Sequence, residues 1–267
     1  MTDVPSVNFD RAAGSYDATR PVDDAELDQT LDLLGRALRS PQPTLEIGVG
    51  TGALALPLAE HGWRLTGVDI SAAMISKLIE KVDGRPPLAL VQSDATALPF
   101  ADGSFGSAYA RHVFHLVPRW RDVVAELCRV TSGSVAVALG TSPGPWHDLW
   151  YEMRTVMGPE ADHIGLDFAR GGEEQLREAF SARGAVLVQE AAIEYPAQET
   201  AAEFLDGVQA RSPSWTWRVP QQELDRALEV GRRWTVDRFG SVDVRLEEQT
   251  RKRWWIFDLE PARSEHQ

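Results

Sequence analysis

Apolar and polar positions change rhythm several times along this chain. From residue 44, short apolar runs alternate with stretches whose apolar positions recur at helical spacing. The runs are 44–48, 63-WRLTGVD-69, 88-LALVQSD-94, 105-FGSAYAR-111 and 133-GSVAVALG-140. Each reads as a strand. Between them, helices are predicted at about 53–61 and 72–82, the second capped by Ser71. A third lies in 119-RWRDVVAELCRV-130, where Trp120, Val123, Val124, Leu127 and Cys128 share one face. Strands separated by helices of this length imply right-handed crossovers and a parallel sheet. Pro57 is expected to kink or tighten the first helix.

After residue 140 the rhythm breaks. The segment 141–171 is too long for a simple connection. Helical pattern returns at about 172–182, followed by the strand 184-GAVLVQEAAIEY-195. A second excursion, about 196–249, has helical pattern at 198–210 and 220–238. The strand 251-RKRWWIFDLE-260 closes the chain's regular part, and 185–195 should pair with 251–259 as an antiparallel edge. The prediction is an α/β fold: a Rossmann-like open sheet of seven strands, mostly parallel with an antiparallel edge strand, carrying helical lid insertions. One domain is expected over 1–267. In it, 1–40 is an N-terminal helical cap, 41–140 the ligand-binding core, 141–171 and 196–249 the lid and acceptor segments, and 172–195 with 250–260 the completion of the sheet.

Composition narrows the picture. The chain has 267 residues, 43% hydrophobic and 25% charged, which is ordinary for a globular protein. Acids outnumber bases 40 to 27, so the broad cationic footprint that nucleic acid requires is not expected. No apolar run approaches the roughly 20 residues of a membrane span. The N-terminus is neither a signal nor a basic transit sequence, and a cytoplasmic location is expected. The single cysteine, Cys128, cannot make a disulfide or a thiolate-rich zinc site and reads as a core thiol.

The candidate chemistry begins at 45-LEIGVGTGALAL-56. Gly48, Gly50 and Gly52 follow the first strand and let a ligand approach bare backbone. Alone they fit a nicotinamide dinucleotide, S-adenosylmethionine, or no ligand. Asp69 ends the second strand about twenty residues beyond the glycines, where an acid accepts hydrogen bonds from ribose hydroxyls. That suits either adenosine cofactor. Asp94 opens 94-DATALPFADGSF-105, and there it can accept from an adenine amino group while the Ala95 N–H donates to the ring. A helix cap is the plainer reading of Asp94. Glu46 would repel a pyrophosphate and attract an ammonium. No Tyr-x-x-x-Lys follows Tyr16, Tyr109, Tyr151 or Tyr195.

These segments, in this order, resemble the class I S-adenosylmethionine-dependent methyltransferases, and within them the small-molecule "type 11" group. LEIGVGTG resembles the first motif of that family, 66-TGVDISAAMISKL-78 the second and SDATALPFADGSF the third. Beyond them, 109-YARHVFHLVPRW-120 resembles the segment after the fourth strand, and 9-FDRAAGSYDATRP-21 the N-terminal helix that closes over the cofactor. The resemblance is strong over residues 9–140 and holds only in outline beyond. It implies S-adenosylmethionine as cofactor. Gly48, Gly50 and Gly52 would pass its methionine part. Asp69 would hold the ribose, and Ile70 and Met74 would flank the adenine, whose edge Asp94 and Ala95 would read. Arg111 would lie beside the methionine, where the family often has a small residue, and Tyr16 and Arg20 would close the site. An NAD(P)-dependent oxidoreductase, or a module that binds the cofactor without turnover, are the alternatives.

Methyl transfer from a sulfonium is an in-line displacement, so positioning carries most of the acceleration. A base is needed only where the nucleophile must lose a proton. His112 and His115 are the candidates, and His115 is the better placed. A metal site is not expected from this pair, which lacks a third ligand. Trp146, Trp150, Trp215, Trp217 and Trp234 crowd the late excursions. If those segments fold over the sheet, Trp146, Trp150, Trp215 and Trp217 would line an aromatic pocket for a small apolar or aromatic acceptor. Arg211 and Arg218 are candidates to hold an acidic substrate group.

Overall fold

The apolar run before the glycines forms β1, Thr44–Ile47, and all four of its residues are buried. Burial on both faces is what a central parallel strand requires. The structure is a computed structural model that describes residues 4–20, 22–38, 42–139, 146–196, 199–245 and 249–259. Parts of the expected cap (1–3, 21, 39–40), core (41, 140), lids (141–145, 197–198, 246–248) and last strand (260) lie outside the described residues.

On one side of β1 lie β2, Leu65–Asp69, and β3, Ala89–Gln92; on the other lie β4, Phe105–Ala110, and β5, Thr131–Ala138. These pairings are all parallel. With β6, Val186–Pro196, and β7, Gln249–Asp258, they make a seven-stranded sheet of order β3-β2-β1-β4-β5-β7-β6. The expected antiparallel pairing of the last two strands is present, with Ile193 opposite Lys252 and Glu190 opposite Trp255. β7 also runs antiparallel to β5, with Ala138 opposite Trp254. Residues of β7 before Trp254 therefore emerge beyond the carboxyl end of β5.

Alternation along the strands feeds two cores, one on each sheet face. Val135, Val137, Trp255 and Phe257 pack on one side with α5, Trp120–Val130, and α7, Gly172–Ser181. Ala136, Ala138, Trp254 and Ile256 face the other. That second face is covered by α2, Asp24–Ala37, α3, Ala55–Glu60, and α4, Ala72–Lys81. Ahead of α2 stands the short α1, Tyr16–Thr19. Cys128 is half-buried against the first core, where burial pushes its thiol up to about 11, so it stays protonated.

Three details depart from the sequence reading. The first crossover helix starts at Ala55, because the glycine loop consumes the residues before it. Pro57 thus falls in the first turn, where no intrahelical N–H is needed, and a kink has no cause there. The third strand stops at Gln92, so Asp94 sits in the turn beyond, its Oδ1 accepting the Thr96 N–H at 2.9 Å. Ser71 does cap α4, its hydroxyl accepting from Met74 N at 3.1 Å.

The late excursions form a third core of their own. α6, His147–Met157, α8, Ala201–Gln209, and α9, Gln221–Phe239, bury Leu149, Met153, Leu205, Leu224 and Ala227 together. Gly231 explains how closely α9 approaches: a Cβ there would lie 2.9 Å from both Leu205 and Met153 side-chain atoms.

Candidate active site

A cavity of about 720 Å³ opens at the carboxyl ends of β1, β2, β3 and β4. In open parallel sheets this is where ligands bind. Its volume falls within the range for a cofactor-sized site. Its floor is the loop after β1. Gly48, Gly50 and Gly52 take φ of +73°, +54° and +83°, a region that costs any other L-residue about 1–2 kcal/mol. Gly48 and Gly50 line the cavity. Gly52 does not; a Cβ there would lie 2.9 Å from Leu56 and 3.0 Å from Leu78. The expectation that Gly52 passes the methionine is therefore corrected: it closes the loop onto α4. Gly48 has a packing reason too, since a Cβ would meet Val113 at 2.7 Å.

Asp69 ties the loop to its neighbour strand. Its Oδ2 accepts the Gly50 N–H and its Oδ1 the Ser71 N–H, each at 2.8 Å. Burial raises its pKa, and these two donors oppose the rise. Ile70, Met74, Asp94 and Ala95 continue this wall of the cavity. Glu46, 4% exposed, accepts a hydrogen bond from the Tyr109 hydroxyl at 2.7 Å. Burial pushes its carboxyl up to about 8, so near pH 7 it is largely protonated.

The N-terminal segment forms the roof. Asp10 Oδ1 accepts from the Ser71 hydroxyl at 2.6 Å and from Ala73 N at 3.1 Å, at the start of α4. Asp17 accepts from the Thr51 hydroxyl at 2.6 Å and pairs with Lys81 at 2.7 Å. Both acids clamp the roof to the glycine loop and α4. The sequence reading passed over them, although both lie in the segment it singled out. Tyr16 and Arg20 line the cavity, with the guanidinium 4.8 Å from the Tyr16 ring centre and 5.2 Å from that of Phe9. Arg20 Nη2 donates to the Ser212 carbonyl, which joins roof to lid, while its Nη1 is buried with no partner among the described residues.

The opposite wall is basic. Arg111 Nη1 donates to Glu26 Oε1 at 3.0 Å, and Lys252 Nζ donates to the same oxygen. Tyr195 is hydrogen-bonded to Glu26 as well. Glu26 and Lys252 are only 4% and 3% exposed, yet both line the cavity. Burial and the nearby Arg111 push the Lys252 ammonium down to about 8. Neither Glu26, Tyr195 nor Lys252 emerged from the sequence. One signal was available: Lys252 shares a strand face with Trp254 and Ile256, where a solvated lysine has no place.

His112 and His115 both line the cavity. His112 follows β4 with φ +57°, an uncommon conformation for a side chain other than glycine. Burial lowers both imidazoles, His115 to about 3, so each is neutral. The His115 ring lies edge-on to His163, 4.7 Å between centres. Among the described residues no group of three or more His, Cys, Asp or Glu side chains is placed to hold a metal.

The tryptophans are elsewhere. Trp146, Trp150, Trp215 and Trp217 do not line the cavity. Trp146 is buried in the third core with its Nε1 donating to Glu199 O at 3.0 Å. Trp150 and Trp215 meet each other at 6.3 Å. Trp217 packs on Phe9 at 4.9 Å, behind the roof. The rings expected to line an acceptor pocket instead pack within the lid or against the roof: Trp146 and Trp215 in the third core, Trp150 on Trp215, and Trp217 on Phe9. Arg211 and Arg218 likewise donate to the lid carbonyls of Thr216 and Asp162.

Comparison with known proteins bears on this geometry. Residues 45–139 match the family model described as "Methyltransferase domain". The demethylmenaquinone methyltransferase of Beutenbergia cavernae is 36% identical over 145 residues, 52% of this chain and 58% of that protein. The phosphatidylethanolamine N-methyltransferase of Cereibacter sphaeroides is 42% identical over 89 residues, 32% of this chain and 43% of that one. A putative methyltransferase from Bacillus halodurans has the same fold at TM-score 0.58 and 16% identity, covering 87% of this chain and all, 100%, of that one. The [4+2]-cyclase SpnF superposes at TM-score 0.56 and 16% identity, covering 96% of this chain and 98% of its own. Over residues 45–139 this chain is thus similar to the methyltransferase-domain family, and it shares the fold of solved methyltransferases. It spans 58% and 43% of the length of the two relatives just described.

Proposed function

We propose that this chain binds S-adenosylmethionine in the cavity and transfers its methyl group to a small-molecule acceptor. The observation that carries the reading is a buried acid and a buried donor lining one cavity with Gly48 and Gly50. Burial holds the Glu46 carboxyl largely protonated, with only the Tyr109 hydroxyl bonded to it, and among the described residues Arg20 Nη1 has no acceptor. A methionine tail brings an ammonium for the first and a carboxylate for the second. A dinucleotide's pyrophosphate would bring no cation for Glu46 to ionise against.

The cofactor supplies a methyl already activated on a sulfonium. The chain supplies placement. Asp69 accepts from the ribose with the lone pairs its two backbone donors leave free. Asp94 and Ala95 read the adenine edge, Ile70 and Met74 enclose the ring, and Tyr16 closes the roof. Arg111 bounds the methionine on the side of the acceptor. His115 faces the cavity as a neutral acceptor, but an imidazole at about 3 is a weak base. Its role here is to receive an acceptor's hydrogen bond rather than to strip a proton. Gly48 and Gly50 let the backbone approach the ligand.

The relatives' names specify a quinone precursor and a phospholipid amine, so they do not converge on an acceptor. The SpnF likeness shows that this fold also houses a cyclase, and fold alone does not set the reaction. The test is direct. Calorimetry with S-adenosylmethionine, S-adenosylhomocysteine and NAD should show micromolar binding of the first two and none of the third. Labelled cofactor incubated with a metabolite extract should then yield labelled product. Binding of NAD alone would sink the proposal, and cofactor binding with no transfer to any extract would reduce it to a binding module.

A further inference from the structure

On this reading of the cavity, we propose that Lys252, Arg111 and Tyr195 form a subsite for an anionic oxygen of the acceptor. The acceptor class is then a small organic acid. Two cations, the Arg111 guanidinium and the Lys252 ammonium, converge on one carboxylate oxygen, Glu26 Oε1. A neutral phenol, Tyr195, is bonded to the same carboxylate. The Glu46 carboxyl is largely protonated and bonded to Tyr109 in the free protein, and with cofactor bound its carboxylate would be matched by the ligand's ammonium, so it adds little net negative charge in either state. The wall therefore holds a positive charge in excess, at a place where Lys252 is 3% exposed. A buried charge without a full counter-charge is costly. The chain tolerates it beside an open cavity, and an anion entering that cavity would relieve it.

Position assigns the subsite to the acceptor rather than the cofactor. In the sheet β7 lies three strands from β1, in the order β1-β4-β5-β7. At the usual spacing of about 4.8 Å between strands, that is roughly 14 Å. The cofactor readings belong to β1, β2 and the turn after β3, on the far side of Arg111. Lys252 and Tyr195 come from the β6–β7 pair, which projects past the carboxyl end of β5. The methionine carboxylate already has its own donor in Arg20 Nη1, on the roof.

The experiment uses the full chain saturated with S-adenosylhomocysteine. Saturation by calorimetry comes first, and failure there would overturn the cofactor reading, not this one specifically. Matched pairs of probes are then titrated by ligand-observed NMR: benzoate with benzamide, phenylacetate with phenylacetamide, and octanoate with octanamide. We expect at least one acid to bind ten times more tightly than its amide. Lys252→Met should bring that pair within twofold, and Lys252→Arg should keep the preference. S-adenosylhomocysteine affinity should stay within twofold of wild type in both. Lys252→Gln keeps a donor to Glu26 and loses the charge, and it replaces the methionine variant if that one does not fold. The proposal is overturned if no acid binds, if acids and amides bind alike, or if the acid preference survives loss of the charge. It is also overturned if the charge-removing variant instead loses S-adenosylhomocysteine affinity tenfold, which would assign Lys252 to the cofactor's carboxylate.

Discussion

The two walls of the cavity are built in opposite ways. The acidic wall, Glu46, Asp69 and Asp94, comes from the ends of strands β1 and β2 and from the turn after β3. Asp69 and Asp94 each accept a backbone N–H from two residues on, Ser71 and Thr96, and Glu46 accepts from the Tyr109 hydroxyl of the neighbouring strand. The basic wall, Arg111 with Lys252 and its partners Glu26 and Tyr195, draws on residues 26, 111, 195 and 252, from four distant parts of the chain. The acidic wall needs only local geometry, so it forms wherever the crossover units fold. The basic wall exists only when the N-terminal cap, the core and the last strand pair have all docked. The difference predicts that damage to the first wall is felt in ligand binding and damage to the second in stability.

The largest effect expected is from Glu26→Ala. It leaves Arg111 and Lys252 facing one another without their shared carboxylate, and breaking a buried pair in this way costs about 3–5 kcal/mol. Urea unfolding should show that loss. Adding Lys252→Met to the same chain should restore part of it, because one of the two stranded charges is gone. A loss below about 1 kcal/mol would mean that solvent already screens the cluster, and the contrast between the walls would fail.

Asp69→Ala tests the acidic wall. Removing the carboxylate should weaken S-adenosylmethionine binding by roughly 1.5–3 kcal/mol, the scale of hydrogen bonds to a charged group. Asp69→Asn keeps one oxygen for the backbone donors at Gly50 and Ser71 and should lose less. Unchanged calorimetric affinity in the alanine variant would contradict the ribose assignment.

The same contrast explains what could be read from the sequence. The sheet, its antiparallel final pair and the helices of the core follow from periodicity, because burial on two faces forces apolar alternation on every strand. Glu46, Asp69 and Asp94 could be placed because each lies at or within two residues of a strand end. Glu26 and Lys252 could not, since nothing local distinguishes a helix acid or a strand lysine that meets its partner 226 residues away. The lid tryptophans misled for a related reason. An aromatic-rich segment can cover a ligand or its own core, and Trp146, buried against α8 and α9, shows the second. Gly52 looked like its two neighbours in the motif, yet only packing by Leu56 and Leu78 decided what it does.

The finest test concerns Glu46, whose carboxyl is largely protonated in the free protein. Its carboxyl lies at about 8 because burial disfavours the charge. A ligand bearing an ammonium favours the carboxylate, so binding should release a proton from Glu46. Affinity for S-adenosylmethionine should therefore rise with pH between about 6 and 7.5, by at most about tenfold per pH unit. Above that window the ligand's own amine, at about 7.7–8.0, begins to lose its charge and the gain should level off. Folding has the opposite sign. A carboxyl raised in the folded state stabilises it below the unfolded value of 4.5, and that contribution is lost as pH climbs towards 8. The free protein should thus soften over the range in which the cofactor binds more tightly, and the thermal shift given by the cofactor should grow with pH. Glu46→Gln should flatten both trends. Calorimetry in two buffers of different ionisation enthalpy counts the proton, and a wild-type protein that releases none would remove Glu46 from the ammonium site.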